Sequence, residues 1–131
     1  MKSVTLTVVS FLAIAFTMQS QAEATPTKDL PVAVNQVFIP GGFDSKMDAY
    51  VVVSGIFPNG CYKWKGATQV DVTNTEHEIT SEATVSQGMC IMVLVPFSKE
   101  VRLGKLDVGT HKLRFVSGDG TYLEKSMTIE E

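Results

Sequence analysis

Residues 49–61, AYVVVSGIFPNGC, decide the fold, because they join a strand signal, a turn signal and a cysteine in one short stretch. The segment from Ala49 to Phe57 is rich in β-branched and aromatic residues, which are typical of strands. The Pro-Asn-Gly tripeptide at 58–60 is a dense turn signal directly after it. We therefore predict a strand at 49–57 that ends in a tight turn.

Short extended segments and turns continue outward from this stretch in both directions. Helical periodicity is almost missing after residue 24, and strand patterns recur at 32–39, 77–85, 89–95 and 122–129. Seven or eight short strands separated by turn signals are typical of an antiparallel two-sheet sandwich. A small closed barrel has the same signature and stays open as an alternative. We predict an all-β sandwich domain over residues 32–131, preceded by a loose polar leader at 25–31.

The first 24 residues have the composition of a secretory signal peptide. Lys2 gives a positive start, residues 4–16 (VTLTVVSFLAIAF) carry no charge, and small residues follow at Ser20, Ala22 and Ala24. A charged start, a short apolar core and a small-residue cleavage site define such a peptide. The apolar run is shorter than the roughly 20 residues that a membrane helix needs. We therefore predict a cleaved signal peptide at 1–24, no membrane span, and export to the periplasm or to the outside of the cell.

The charge balance argues against one class of partner. The chain has 11 basic and 14 acidic residues, which gives a formal net charge of −3. A mild acidic excess repels the phosphate backbone, so nucleic acid is not expected as a partner.

Cys61 and Cys90 are the only cysteines of the chain. An even number of cysteines in an exported protein favours a structural disulfide, and we predict this single bridge. Closing a loop of about 30 residues stabilises a fold by roughly 3–4 kcal/mol in the chain-entropy model. A redox pair would favour Cys-x-x-Cys spacing, which the sequence lacks.

Three motifs in a fixed order carry a resemblance to known domains. They are VSGIFPNGCY at 53–62, the apolar segment from Cys90 that leads to Pro-Phe at 96–97, and LDVGTH at 106–111. This order resembles small exported bacterial immunoglobulin-like β-sandwich domains with a single disulfide, over roughly residues 51–129. The resemblance implies an architecture and no ligand, because such sandwiches serve many functions. His111 stands where many of these domains have the tyrosine of a tyrosine corner, which is a departure from their pattern.

Few residues are candidates for chemistry. His77 lies among acidic residues, but adjacent strand residues point to opposite faces and cannot converge on a metal ion. We expect His77 on a solvated strand face and His111 at a corner or on the surface. The sequence contains no nucleophile motif, phosphate loop or calcium-loop spacing. We therefore predict no catalytic, cofactor-binding or metal-binding residue, no cofactor, and a protein that is not an enzyme.

The apolar segment at 89–95, MCIMVLV, does not alternate as a sandwich strand should. If Val93 and its neighbours two residues away face the core, Met92 and Leu94 lie on the outer side. An exposed apolar strip of this kind tends to mark a contact surface. The alternative is that other segments of the chain, such as 40–47 or the leader, cover these side chains.

Phe57, Tyr62 and Trp64 form a second candidate surface around the 58–60 turn and Cys61. Aromatic side chains on a braced loop suit contact with a protein or a glycan. Alternatively, Trp64 fills the end of the sandwich.

These features predict an exported, non-enzymatic binding or assembly protein of the cell envelope. It would contact another macromolecule, with a protein in the envelope or outside the cell as the expected partner. The alternative function is inhibition of an extracellular or periplasmic protease, through the rigid turn at 58–60. A subunit that exchanges strands in a fibre is a further option, and the sequence does not determine the oligomeric state.

Overall fold

A computed structural model describes residues 25–131, and the predicted signal peptide lies outside the described residues. The described part folds into eight strands: β1 (Thr27–Pro31), β2 (Gln36–Phe38), β3 (Ala49–Phe57), β4 (Tyr62–Asp71), β5 (Glu76–Ser86), β6 (Val95–Gly104), β7 (Gly109–Val116) and β8 (Tyr122–Ile129). Within residues 25–131 no helix is formed, so none is long and apolar enough to cross a membrane. The predicted all-β fold is confirmed.

Two sheets form the sandwich. The smaller one has the order β2-β3-β6, and both of its pairings are antiparallel. In the larger sheet β5 is central: β4 pairs along one edge of it, while β1 and β7 share the other edge. β8 pairs with β7 at the far side. The predicted two-sheet sandwich of seven or eight strands is therefore confirmed, and the barrel alternative does not apply.

One strand pairing departs from the antiparallel expectation. β5 and β7 run parallel, with His77 opposite Leu113 and Ile79 opposite Phe115. The reason is the connection between them. The chain crosses to the other sheet, forms β6 there and then returns, so β7 runs in the same direction as β5.

The polar segment at 25–31, expected to be a loose leader, is largely part of the sheet. Thr27–Pro31 forms β1, and Thr27 pairs with Ser86 while Pro31 pairs with Glu82. The Asp29 carboxylate accepts hydrogen bonds from the Lys65 ammonium and from the Thr84 hydroxyl, which tie β1 to its neighbours. The described domain therefore begins with this strand.

The core lies between the sheets and follows the period-two pattern of the central strands. On β5 every second residue from His77 to Val85 is buried, and on β3 Ala49, Val51 and Val53 point inward. On the other face of β3, the Tyr50 ring packs edge-on against Phe43, at 5.3 Å between ring centroids. The 40–47 segment thus contacts β3 through Phe43.

The predicted strand at 89–95 is wrong. Residues 87–94 connect β5 to β6 without strand structure, and β6 begins only at Val95. Pro96, which we expected to interrupt a strand, lies within β6 opposite Ile56. Proline is tolerated there because β6 is an edge strand and has a partner on one side only.

The predicted disulfide between Cys61 and Cys90 is confirmed, with 5.1 Å between the two Cα atoms. It joins the residue just before β4 to the β5–β6 connection. The described residues contain no free cysteine.

Candidate functional site

The most exposed apolar surface of the described domain is the connection from β5 to β6. We call residues 89–94 the apolar loop. Its five apolar side chains are exposed by the following fractions: Met89 104%, Ile91 73%, Met92 79%, Val93 53% and Leu94 70%. Such values mean that the described chain leaves more than half of each of these side chains uncovered. The alternative of cover by the leader or by 40–47 therefore does not hold for this segment.

The start of the apolar loop is held firmly although its side chains are exposed. Cys90 is fixed by the disulfide, and the Gly60 N–H donates a 2.8 Å hydrogen bond to the carbonyl of Ile91. The turn at 58–60 is braced in the same way, because the Cys61 N–H donates to the Asn59 Oδ1 at 2.9 Å. A Cβ added at Gly60 would lie 3.4 Å from the Ile91 Cβ, so turn and loop are closely packed. The turn and the loop thus form one braced end of the sandwich.

Met92 and Leu94 are both exposed, as the sequence predicted, but on a loop rather than on the outer face of a strand. The difference matters, because Ile91 and Val93 are then exposed as well instead of facing the core. The surface therefore comprises five apolar side chains instead of the predicted two. Its role in binding a partner stays a prediction.

The aromatic residues of the second predicted surface mainly fill the end of the sandwich. Phe57 is buried, and its ring stacks on Phe97 at 4.4 Å and on Tyr62 at 5.7 Å between centroids. The Trp64 ring lies 5.6 Å from the Phe97 ring. It also packs against buried apolar side chains of the core. Tyr62 and Trp64 stay half-buried and line an open cleft of about 470 Å³ beside Val95 and Phe97. Trp64 is thus chiefly a core residue, which was the alternative to a contact role.

Both histidines are buried. His77 is 3% exposed, so the predicted solvated strand face is wrong. His111 is 1% exposed, so the surface position is wrong for it, while its ring contacts the backbone four residues upstream, as a corner residue would. The reason is strand parity: His77 lies two residues before Ile79 on β5, and His111 two residues before Leu113 on β7, on the inward face of each strand. Their position on the side of the strand that carries Ile79 and Leu113 is the signal that could have placed them.

A continuous hydrogen-bonded chain runs through the two imidazoles. The Asp71 Oδ1 lies 2.6 Å from the His77 Nδ1, and the His77 Nε2 lies 2.8 Å from the His111 Nδ1. The His111 Nε2 then lies 2.6 Å from the carbonyl oxygen of Asp107. This series of hydrogen bonds connects the end of β4, the start of β5, the start of β7 and the loop between β6 and β7. We call these four residues the histidine chain.

Asp71 is the charged end of the histidine chain. Its pKa is held below the usual value of 3.8, first by the hydrogen bond that the Gln69 amide donates and then by the one from His77. A lowered pKa means that Asp71 is a carboxylate at neutral pH. Because its side chain is 63% exposed, water screens much of its charge.

The nitrogens of both imidazole rings are engaged within the cluster. All four ring nitrogens lie within hydrogen-bond distance of another member of the chain. Within residues 25–131, no group of three or more His, Cys, Asp or Glu side chains is placed to hold a metal ion.

Comparison with known proteins places the chain in a family. The model of the ORF11 beta-sandwich domain matches residues 51–129, which is more than half of the chain. The chain therefore belongs to the ORF11 beta-sandwich family. No curated protein and no solved structure matches it.

Proposed function

We propose that this member of the ORF11 beta-sandwich family is an exported, non-enzymatic binding or assembly protein of the cell envelope. It binds a protein partner in the envelope or outside the cell through the apolar loop. The exposure of five apolar side chains on one disulfide-anchored loop is the observation that carries this proposal. The finer classification as a bacterial immunoglobulin-like domain is proposed on the order of the motifs at 53–62, 90–97 and 106–111.

The apolar loop has the physical properties of a contact surface. Contiguous exposed apolar patches in soluble domains tend to mark interaction sites. Burying half of one such side chain contributes about 1 kcal/mol to binding, so several together support a stable complex. Met89 and Met92 add side chains that adapt to an irregular partner.

Anchoring of the loop lowers the entropic cost of binding. The disulfide at Cys90 and the hydrogen bond to Ile91 fix the first residues of the loop before a partner arrives. A segment that is already ordered loses less conformational freedom on association. The anchored loop does not contribute to core packing, since its apolar side chains point to water.

A binding role also accounts for the histidines better than turnover does. The ring nitrogens of His77 and His111 are engaged with each other, with Asp71 and with a backbone carbonyl. They lie at the end of the sandwich away from the apolar loop, because β5 and β7 both start near them and run toward the loop. We therefore assign them a structural role.

The experiment compares two double variants of the exported protein as baits for extracts of the envelope and of the culture medium. Met92→Ser/Leu94→Ser removes two exposed apolar side chains of the loop. Val70→Ser/Val72→Ser is the matched control, because these valines are 60% and 51% exposed near the opposite end of the domain. We expect a crosslinked partner to be captured by the parent and the control only, and the purified partner to bind the loop variant at least tenfold more weakly. Equal affinity for both variants would remove the apolar loop as the contact surface.

Inhibition of an extracellular or periplasmic protease is the second candidate, and the braced turn at 58–60 favours it. Pro58 and Gly60 are exposed, while the flanking hydrogen bonds and the disulfide hold the turn rigid. A rigid exposed turn can enter a protease cleft at low entropic cost. A panel of purified proteases tests this function, and the absence of inhibition at micromolar protein would reject it. Inhibition that survives Met92→Ser/Leu94→Ser would assign the activity to the turn.

A further inference from the structure

We propose that the histidine chain holds one proton more than two neutral imidazoles carry, and that this proton makes it a pH-dependent latch at the end of the sandwich opposite the apolar loop. The proposal concerns residues that the binding function does not use. It rests on the three short contacts among Asp71, His77, His111 and the Asp107 carbonyl.

The number of protons on the two imidazole rings follows from counting the donors that the histidine chain needs. Each of the three contacts needs one proton between its two heavy atoms. The Asp71 carboxylate and the Asp107 carbonyl are both acceptors, so both ends of the chain require a ring N–H. A neutral imidazole carries one N–H, and two neutral rings therefore supply two protons for three contacts. The third contact is satisfied only when one of the rings is an imidazolium.

Asp71 supplies the negative charge that this extra proton needs. Its carboxylate is 2.6 Å from the His77 ring, and its lowered pKa keeps it ionised at neutral pH. A buried cation is stable when it is paired and hydrogen-bonded, and here the pair is completed at the surface. The histidine chain then has no net charge, because it contains one carboxylate and one imidazolium.

Charged groups of both signs lie around the histidines. On β5 the neighbours are Glu76 and Glu78, on β7 Lys112 and Arg114, and on the β6–β7 loop Lys105 and Asp107. Glu76 lies opposite Lys112 in the parallel register, and the Lys112 ammonium is 3.6 Å from the Glu124 carboxylate on β8. The Arg114 guanidinium is 3.6 Å from the Glu78 carboxylate. On β8 the residue opposite His111 is Met127, which has no charge. Among the described residues, Asp71 is thus the only charged side chain within hydrogen-bond distance of either imidazole.

Loss of the third proton would open the latch. Two acceptors would then face each other at one of the contacts, for example the His111 Nε2 and the Asp107 carbonyl oxygen at 2.6 Å. Facing lone pairs repel, so the loop at 105–107 would move away from β7. Because the folded protein holds one proton that the unfolded protein gives up as the pH rises, stability falls on the alkaline side.

A single conservative variant separates this latch from an ordinary buried histidine pair. Asp71→Asn replaces an acceptor by an amide that can donate to the His77 Nδ1. The His77 Nε2–H then donates to the His111 Nδ1, and the His111 Nε2–H donates to the Asp107 carbonyl. All three contacts are satisfied with two neutral rings, and no extra proton is needed. Only the native carboxylate requires an imidazolium.

The experiment counts protonated ring nitrogens by two-bond ¹H–¹⁵N spectroscopy of the ¹⁵N-histidine-labelled exported protein at pH 7.5. We expect three of the four ring nitrogens to be protonated in the native protein and two in Asp71→Asn. Urea unfolding at pH 6.5 and at pH 9 gives a second readout, in which the parent loses stability on the alkaline side and Asp71→Asn does not. A count of two in the native protein, or the same alkaline loss in both proteins, would overturn the proposal. If Asp71→Asn does not fold, the count in the native protein decides.

Discussion

The two ends of the sandwich use opposite kinds of chemistry. At one end the apolar loop exposes Met92 and Leu94 on a segment that a covalent bridge holds in place. At the other end His77 and His111 are buried and are held by hydrogen bonds that depend on protonation. Apolar groups are outside where polar ones would be expected, and polar groups are inside where apolar ones would be expected. A sandwich core tolerates both departures because each is confined to one end of the domain.

The largest expected effect comes from removing the covalent bridge. Cys61→Ser/Cys90→Ser should lower the free energy of unfolding by about 3–4 kcal/mol, since the bridge closes a loop with a sequence separation of 29. Hydrogen exchange at the Gly60 amide, which donates to the Ile91 carbonyl, should accelerate, while exchange at His111 should keep its rank among the protected amides. Urea unfolding and amide exchange measure both effects. Equal loosening at the two ends would show that they are not independent.

A smaller loss is expected from breaking the histidine chain. His111→Phe keeps an aromatic ring but removes both nitrogens, so the His77 Nε2 and the Asp107 carbonyl lose their partner. Leaving buried polar groups unpaired costs about 2–3 kcal/mol in stability. The matched control is His111→Gln, which retains a donor and an acceptor and should be less destabilised. A stability of His111→Phe equal to that of the parent would show that the chain is not stabilising.

A weaker effect on stability is expected at acid pH, where Asp71 becomes protonated. Its pKa is lower in the fold than the ordinary 3.8, so its contribution is present above that value and is lost as the pH falls through the folded pKa. Because the carboxylate is largely exposed, the contribution is under about 1 kcal/mol. Asp71→Asn should therefore flatten the stability curve below pH 4. Urea unfolding between pH 2.5 and 6 measures this, and an unchanged acid slope would contradict it.

The smallest expected effect on stability belongs to the apolar loop. Met92→Ser/Leu94→Ser should change the free energy of unfolding by less than about 0.5 kcal/mol, because both side chains are exposed in the fold. Thermal unfolding measures the change, with Val70→Ser/Val72→Ser as the control. A loss of 2 kcal/mol would mean that the loop packs against the domain and is not a free surface.

The sequence was sufficient where a local pattern coincided with burial. The β-branched residues at 49–57 and the turn after them predicted β3 because adjacent positions alone determine such a strand. The disulfide followed from counting cysteines. The parallel pairing of β5 with β7 could not be predicted, because it depends on where β6 lies between them in space.

The sequence misled where composition was taken as a measure of burial. Residues 89–95 look like a core strand by hydropathy, but Cys90 and Gly60 hold the segment outside the sheets. His77 looked solvated because acidic residues flank it, although strand parity puts those flanking residues on the opposite face. Whether a loop or a core receives an apolar segment is decided by contacts far apart in the chain, which a local pattern does not contain.

The direction of the first and last strands has a practical consequence for any surface-based assay. β1 starts beside Ser86, so the amino-terminal side of the domain emerges next to the apolar loop. β8 ends opposite Gly109, beside the imidazoles and remote from that loop. Immobilisation through a carboxyl-terminal tag would therefore leave the loop facing the analyte, whereas an amino-terminal fusion would crowd it and mask genuine association.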